Sequence, residues 1–398
     1  MSSTEQEPLF SVVIPVYNRV APLQRALKSI QAQDYQRFEV VVVDDGSSAE
    51  MGMAIARLVA ELKDNRIKLI AYQENRNGAY ARNQGIAAAT GNYICFLDSD
   101  DEWLPAKLSE CKEFIRKHPD CKLFYHRYAN VRQGKPEPAL PVEPIKIGQT
   151  AAEYSFCTNR YGGIQSSCIT VEAEHAKSIR FNEQLKGHQD WDFVLRATAA
   201  LSYIGFIPAA LTWRHIAEGN VGMVSRDLNY QFSREFLIAY RRFFSLKATA
   251  AYAAYILTHK RLKTWPKPDF DQYQLLAWLY HPYYCYQQYR QLYQLQSRCS
   301  RLVQYCQRNN IQYVALVGVN AYTEFFIGHY GKNFAGVTLI DKTKRVNTMF
   351  GSSRPAAELM VEDWQRVELL VAMTDHHFAS MQSDLAPYTA KASQMYAF

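Results

Sequence analysis

The string GNYICFLDSDDEW, residues 91–103, holds the residues best suited to chemistry in this chain. An apolar run empties into Asp98, Ser99, Asp100 and Asp101. Three carboxylates within four residues repel one another and desolvate badly unless a cation or a cationic ligand neutralises them. Hard divalent metals such as Mg²⁺ and Mn²⁺ prefer carboxylate oxygens, often together with substrate phosphates. A solvated acidic turn ahead of a helix beginning near Leu104 is the other reading of the same residues.

The elements around this string decide what it can face. Phe10–Val16 (FSVVIPV) and Phe38–Val43 (FEVVVV) read as buried strands, being short and rich in β-branched residues. Ile67–Tyr72 and Asn92–Leu97 read as two more. Between them, Val20–Gln33 has helical spacing, with Leu23, Leu27 and Ile30 on one face. Ser47 with Glu50 makes a capping-box pattern opening a helix to about Leu62, and Gly78–Ala89 is a helix of small residues. Strands alternating with helices of this length imply parallel βαβ units. Further on, Lys122–Val131, Ser167–Val171, Tyr203–Pro208 and Leu211–His215 read as strands and Asp190–Ala200 as a helix. In open parallel sheets ligands bind beyond the carboxyl ends of the strands. Those ends are polar together here: Pro15, Tyr17 and Asn18 after the first, Asp44, Asp45, Gly46 and Ser47 after the second, Asp98 and Asp100 after the fourth.

The chain has 398 residues, 48% of them hydrophobic, enough for two or three packed domains. The N-terminus is polar and lacks an apolar signal core. No stretch approaches the roughly 18 apolar residues that span a bilayer. The eight cysteines show neither a C-x-x-C pair nor zinc spacing, the pattern of reduced thiols in a cytosolic protein. The net charge of +7 is uneven. Residues 231–306 hold eleven Lys and Arg against three acids (Glu235, Asp269, Asp271), together with the tyrosine-rich string LLAWLYHPYYCYQQYRQLYQL.

The strings VVIPVYNR, VVVDDGSS, NRNGAYARNQGIAAATGNYICFLDSDDEW and GHQDWDFVLR occur in this order. In type, order and spacing they resemble the family 2 glycosyltransferases, over roughly residues 9–220. The resemblance implies a GT-A fold, an inverting mechanism and a nucleotide-sugar donor, usually a UDP-sugar of the hexosyl or N-acetylhexosaminyl class. It implies that Pro15, Tyr17 and Asn18 wall the nucleotide pocket and that Asp45 accepts a hydrogen bond from the base. Arg82 would lie near the diphosphate or base, and Asp98 and Ser99 near the ribose or donor sugar. Asp100 would hold Mn²⁺ or Mg²⁺, with Asp98 and Asp100 the ends of one D-x-D unit and Asp101 a helix-start residue. Asp190, in HQDWDF, is implied to be the general base, N-capping being the other role open to it. The family usually has Glu-Asp where this chain has Gln189-Asp190. Asp192 would point away. His215, in LTWRHIAEGN, is a candidate third ligand, an imidazole beside carboxylates. Trp213 and Arg214 could line the acceptor or phosphate side, Trp103 could stack on a sugar face or anchor the next helix, and His188 and Trp191 could shape the acceptor pocket or simply pack.

One base with no second nucleophilic carboxylate implies a single in-line displacement with inversion. The acceptor implied is a glycan or lipid-linked glycan of a surface polysaccharide. A nucleotidyltransferase is disfavoured, since PVYNRVAPL has no glycine-rich loop after the first strand. A catalytically dead scaffold is disfavoured by the intact Asp45, Asp98, Asp100 and Asp190.

The whole chain reads as α/β: a GT-A nucleotide-sugar-binding domain over 1–230, a helical, basic, Tyr-rich segment over 231–307, and a small Rossmann-like domain over 308–398. The helical segment has three uses open to it: packing, peripheral contact with the inner face of a plasma membrane, or a homo-oligomer contact. Nucleic-acid binding is disfavoured, because no recognition motif is present. In the last domain GVNAYTE (Gly318–Glu324) keeps only the first glycine of a dinucleotide fingerprint, with Asn320 at the second. Asp341 ends the next strand at a ribose-binding position, and His376 and His377 follow the last.

Overall fold

The structure is a computed structural model. It describes residues 7–159, 163–199, 201, 203–216, 229–258, 260–261, 270–317, 321–341, 347–348, 351–352, 354–355, 368–372 and 395–397. Gly318, Asn320, His376 and His377 lie outside these residues, as does the region of the TWPKPD string. The chain forms two compact units, Met1–Tyr255 and Ile256–Phe398.

The first unit is built on a nine-stranded mixed sheet. Its parallel half contains β1 (Phe10–Val16), β2 (Phe38–Asp44), β3 (Ile67–Ala71) and β4 (Tyr93–Phe96), in the order β3-β2-β1-β4. Strands β1 and β2 are buried on both faces, which is why they read as unbroken Val/Ile runs. Alternate residues serve opposite layers. Phe10, Val12, Ile14 and Val16 pack with Leu23, Ala26, Leu27 and Ile30 of α1 (Val20–Gln31) and with Ile55 and Leu58 of α2 (Ala49–Glu61). Val13 points the other way, onto α3 (Gly78–Ala88). A Cβ on Gly85 would sit 2.2 Å from a Val13 methyl, so the glycine lets α3 lie directly on β1.

Beyond β4 the sheet becomes mixed, through β8 (Ile169–Glu172), β6 (Leu123–Arg132), β9 (Gly205–His215) and the three-residue β5 (Asp101–Trp103), with β6 and β9 parallel and the other pairs antiparallel. A two-residue β7 (Lys135–Pro136) pairs with β6. Two expected strands, 203–208 and 211–215, are one continuous β9 with a shifted register against β6. The shift takes up Pro208, which has no N–H for the ladder. Helix α4 (Lys107–Lys117) begins three residues later than the acidic string suggests, because β5 comes first. Helix α2 is capped by Ser48, whose Oγ accepts from the Met51 N–H at 3.4 Å. The capping-box reading put Ser47 there, but the Ser47 hydroxyl accepts from the Asn18 N–H instead. Helix α5 (Ala173–Ile179) and α6 (Gln189–Ala199) close this side of the unit.

The unit extends past the change of pattern near 230 because the helices Tyr230–Ala239 and Leu246–Tyr252 carry part of its core. Phe156, Trp191, Phe236, Phe244 and Tyr252 form one aromatic cluster with centroids 4.9–6.3 Å apart.

The second unit has a five-stranded, wholly parallel sheet. Its order is Arg354–Pro355, Gly336–Asp341, Tyr313–Val317, Leu369–Ala372, Met395–Ala397, the 3-2-1-4-5 arrangement of Rossmann-like sheets. Helices Gln272–Tyr280, Pro282–Arg308 and Ala321–Tyr330 belong to this unit. No helix among the described residues is long and apolar enough to cross a membrane. All eight cysteines are unpaired, and all but Cys157 are buried.

Candidate active site

The polar strand ends meet at one edge of the first unit. At the end of β1, Pro15 is half-buried and Tyr17 is 46% exposed. Asn18 takes a positive φ of 52° and clasps the loop after β2. Its N–H donates to Ser47 Oγ at 2.8 Å, and its Oδ1 accepts from the Ser48 N–H at 2.9 Å. Asp45 is buried. Its Oδ1 accepts from the Tyr72 hydroxyl (2.7 Å) and the Arg76 N–H (2.9 Å), and its Oδ2 accepts from Asn75 Nδ2 (2.9 Å). One lone pair of the carboxylate is left over by this set. Gly46 follows at φ 70°, and a Cβ there would lie 2.4 Å from the Glu74 carbonyl carbon, so only glycine fits between the two loops.

Asp98, Asp100 and Asp101 have three different surroundings. Asp98 Oδ1 accepts from Arg82 Nη2 at 2.5 Å. The second Arg82 nitrogen, Nη1, donates to Gln189 Oε1 at 3.0 Å, and the guanidinium lies 5.3 Å above the Phe181 ring. Asp100 is partly exposed and pairs with Arg19 at 2.6 Å, while its carbonyl accepts from Arg25 Nη2 at 2.7 Å. Asp101 is buried and lies in β5, opposite Arg214 of β9; it does not start a helix. Burial, with the charges of Asp98 and Asp100 behind it, pushes its pKa well above the carboxylate range. Ser167 ties the turn together. Its Oγ accepts from the Asp98 N–H at 3.1 Å and donates to Asp101 Oδ2 at 2.6 Å. Ser99 is buried within the turn. Trp103 is buried, donates to the Ser167 carbonyl (3.0 Å) and carries Lys107 on its ring, so it anchors the turn from below.

Asp190 stands in the first turn of α6, directly after Gln189, the residue that Arg82 contacts. Its Oδ1 accepts from the Trp191 N–H at 2.9 Å. The side chain keeps some exposure, yet the atoms around the carboxylate exclude enough water to raise its pKa. Desolvation is the main cause, the charge of Asp98 adds to it, and Arg82 and Arg214 oppose it. Asp192, two residues on, is fully buried and occupied by Arg196 (2.6 Å), the Tyr240 hydroxyl (2.5 Å) and the Asn182 N–H (3.1 Å). His188 stacks on Trp191 at 4.2 Å, and both join the aromatic cluster.

His215 ends β9 and meets Glu102 Oε2 at 3.0 Å. Among the described residues no group of three His, Cys, Asp or Glu side chains converges as a metal cage. A divalent cation held by one carboxylate, water and substrate phosphate oxygens needs no such cage. The partly exposed Asp100 carboxylate fits that kind of site, with His215 oriented by Glu102 one strand away.

Reasoning from the sequence missed Arg19, Arg25, Ser167 and the Tyr72–Asn75–Arg76 set around Asp45. Arg19 had a signal, standing directly after Tyr17-Asn18, and so did Asn75 and Arg76, which open the string NRNGAYARNQG. The others are brought in by long-range packing.

Residues 11–165 match the family model described as Glycosyl transferase family 2. The chain is 30% identical over 268 residues to the putative colanic acid biosynthesis glycosyl transferase WcaA of Escherichia coli, covering 66% of this chain and 92% of that one. It is 37% identical over 192 residues to the amylovoran biosynthesis glycosyltransferase AmsB of Erwinia amylovora, covering 47% of this chain and 63% of AmsB. It is 39% identical over 186 residues to the GalNAc(5)-diNAcBac-PP-undecaprenol beta-1,3-glucosyltransferase of Campylobacter jejuni, covering 46% and 57%. Among solved structures, S. aureus TarS 1-349 in complex with UDP-GlcNAc aligns at a TM-score of 0.47 and 22% identity, over 62% of this chain and 71% of that one. The fold and the family match define a protein of the GT-A class. The chain belongs to glycosyltransferase family 2.

Proposed function

We propose that this chain transfers a hexosyl or N-acetylhexosaminyl group from a UDP-sugar to a hydroxyl of a glycan or lipid-linked glycan, in one inverting displacement that depends on Mn²⁺ or Mg²⁺. The observation that carries the reading is the desolvated Asp190 within the electrostatic reach of Arg82 and Asp98, with Arg82 bridging Asp98 and the neighbouring Gln189. A carboxylate with a raised pKa is a better base than a solvated one. Asp190 accepts the proton of the acceptor hydroxyl as its oxygen bonds to the anomeric carbon. The bond from that carbon to the diphosphate oxygen breaks on the opposite face, and the electron pair leaves with the nucleotide. Arg82 and Arg19 supply positive charge on the leaving side, Tyr17 offers an exposed ring to the base, and Asp45 keeps one lone pair beyond its three internal hydrogen bonds. Asp100, with His215 as a further ligand, would hold the cation, and the chemistry it would supply there is neutralisation of charge on the diphosphate. The acceptor class is supported by relatives named for amylovoran and colanic acid biosynthesis and for a glucosyltransferase of a PP-undecaprenol-linked glycan.

A panel of UDP-, GDP- and TDP-sugars, scored by donor hydrolysis with and without Mn²⁺, tests the donor. The expected result is metal-dependent UDP binding that weakens in Asp100→Ala, and UDP binding without transfer in Asp190→Asn. Absence of nucleotide binding with metal present sinks the reading. Full turnover by Asp190→Asn sinks the base assignment.

A further inference from the structure

The helix Pro282–Arg308 is 27 residues long, about 40 Å at the usual rise per residue. One side is committed to the second unit, where Cys299, Leu302, Val303 and Cys306 are buried in the core with the parallel sheet. The other side faces solvent. Tyr283, Tyr286 and Tyr293 are 75%, 52% and 71% exposed. Arg290, Ser297 and Arg301 are exposed along with them. Every step between these six positions is three or four residues, so they form one stripe along the helix. From Gln272 to Thr323 the chain has no Asp or Glu at all.

An exposed row of tyrosines with arginines and no nearby carboxylate fits one kind of partner. Tyrosine rings favour the boundary between water and hydrocarbon, and arginines bind phosphate oxygens. A second copy meeting through the same face would set arginine stripe against arginine stripe, since two-fold contacts are self-complementary. Nothing acidic on the helix relieves that repulsion. An anionic bilayer supplies both the apolar boundary and the counter-charge. The helix is too polar to enter the hydrocarbon, so it lies on the surface.

We propose that the exposed face of Pro282–Arg308 is a membrane-docking surface for an anionic phospholipid bilayer. Tyr283, Tyr286 and Tyr293 sit at headgroup level, and Arg290 and Arg301 bind lipid phosphates. The proposal stands on this helix and not on the transferase reading.

The test is co-sedimentation of the full chain with phosphatidylglycerol-containing vesicles and with pure phosphatidylcholine vesicles, at low and high salt. Binding is expected to the anionic vesicles only, and to weaken with salt. The double variant R290Q/R301Q weakens it about 25-fold, taking about fivefold per arginine. The triple variant Y283S/Y286S/Y293S weakens it as well and leaves the salt dependence in place. Both variants keep the thermal midpoint and donor hydrolysis of the parent, which separates docking from folding and catalysis. Equal binding to the two vesicle types, or anionic binding that both variants leave intact, overturns the proposal. So does a chain that ignores vesicles but forms a dimer that R290Q/R301Q changes, which assigns the face to a second copy.

Discussion

Arg19 Nη1 holds Asp100 Oδ2 at 2.6 Å, so the carboxylate proposed to carry a divalent cation is already neutralised by a side chain of the same chain. Cation and arginine compete for it. Both partners are substantially exposed, and such pairs are worth about 0.2–1 kcal/mol. Arg19→Gln is therefore expected to tighten Mn²⁺ binding to the nucleotide-free protein by up to about fivefold. The same change weakens UDP, because the positive charge near the diphosphate is lost. Calorimetric titration of Mn²⁺ and UDP separately reads the two opposite effects. Unchanged affinities for both would remove Arg19 from the site.

The base has its own signature in pH. The pKa of Asp190 is raised, so kcat/KM falls as pH drops through a value above the ordinary carboxylate 3.8. Gln189→Glu adds a negative charge beside Asp190 and Arg82, which favours the protonated form. The acid limb of the profile then moves to higher pH, with the fold intact. A limb that stays in place in Gln189→Glu argues that another group titrates.

Asp192 separates structure from catalysis at a distance of two residues. Asp192→Ala leaves the Arg196 guanidinium and the Tyr240 hydroxyl without their buried acceptor. A loss of about 3–5 kcal/mol is expected on denaturant unfolding. Asp190→Asn is expected to leave the unfolding midpoint near the parent value while removing transfer. The reverse pattern would exchange the roles given to these two acids.

Glu39, near the start of β2, predicts a stability loss in acid. Burial raises its pKa, but hydrogen bonds from Lys68, Ser11 and Thr90 outweigh that and bring it down to about 2 from 4.5. A depressed folded-state pKa stabilises the fold above the unfolded value. That contribution is present in full above pH 4.5 and drains away as pH falls towards 2. It amounts to about 3 kcal/mol at neutral pH. Glu39→Gln is expected to lower the midpoint at pH 7 and to flatten its decline between pH 5 and 2, read by thermal unfolding across that range.

Much of the fold was legible where burial is symmetrical. Strands β1 and β2 announce themselves because both faces are covered, and the apolar runs end at Val16 and Val43, just where the loops begin. The short β5 was not legible, since Asp101-Glu102-Trp103 has neither an apolar run nor an alternation that distinguishes a strand from a helix start. Asp101 shows the deeper difficulty. A buried acid and a solvated one are written with the same letter, and only the β5–β9 pairing and Ser167 tell them apart. The two halves of β9 looked separate because Pro208 breaks the pattern, whereas the sheet absorbs it as a bulge. At the site, the strand-end residues were visible locally. Their partners were not: Gln189 lies 107 positions beyond Arg82, and Arg19 lies 81 positions before Asp100.

The reciprocal clasp between Asn18 and the Ser47–Ser48 loop has a mechanical consequence. Two hydrogen bonds running in opposite senses make the loops after β1 and β2 a single stiff lip, so Tyr17 and Asp45 cannot swing independently. Gly46, wedged against the Glu74–Asn75 backbone, fastens that lip to a third loop.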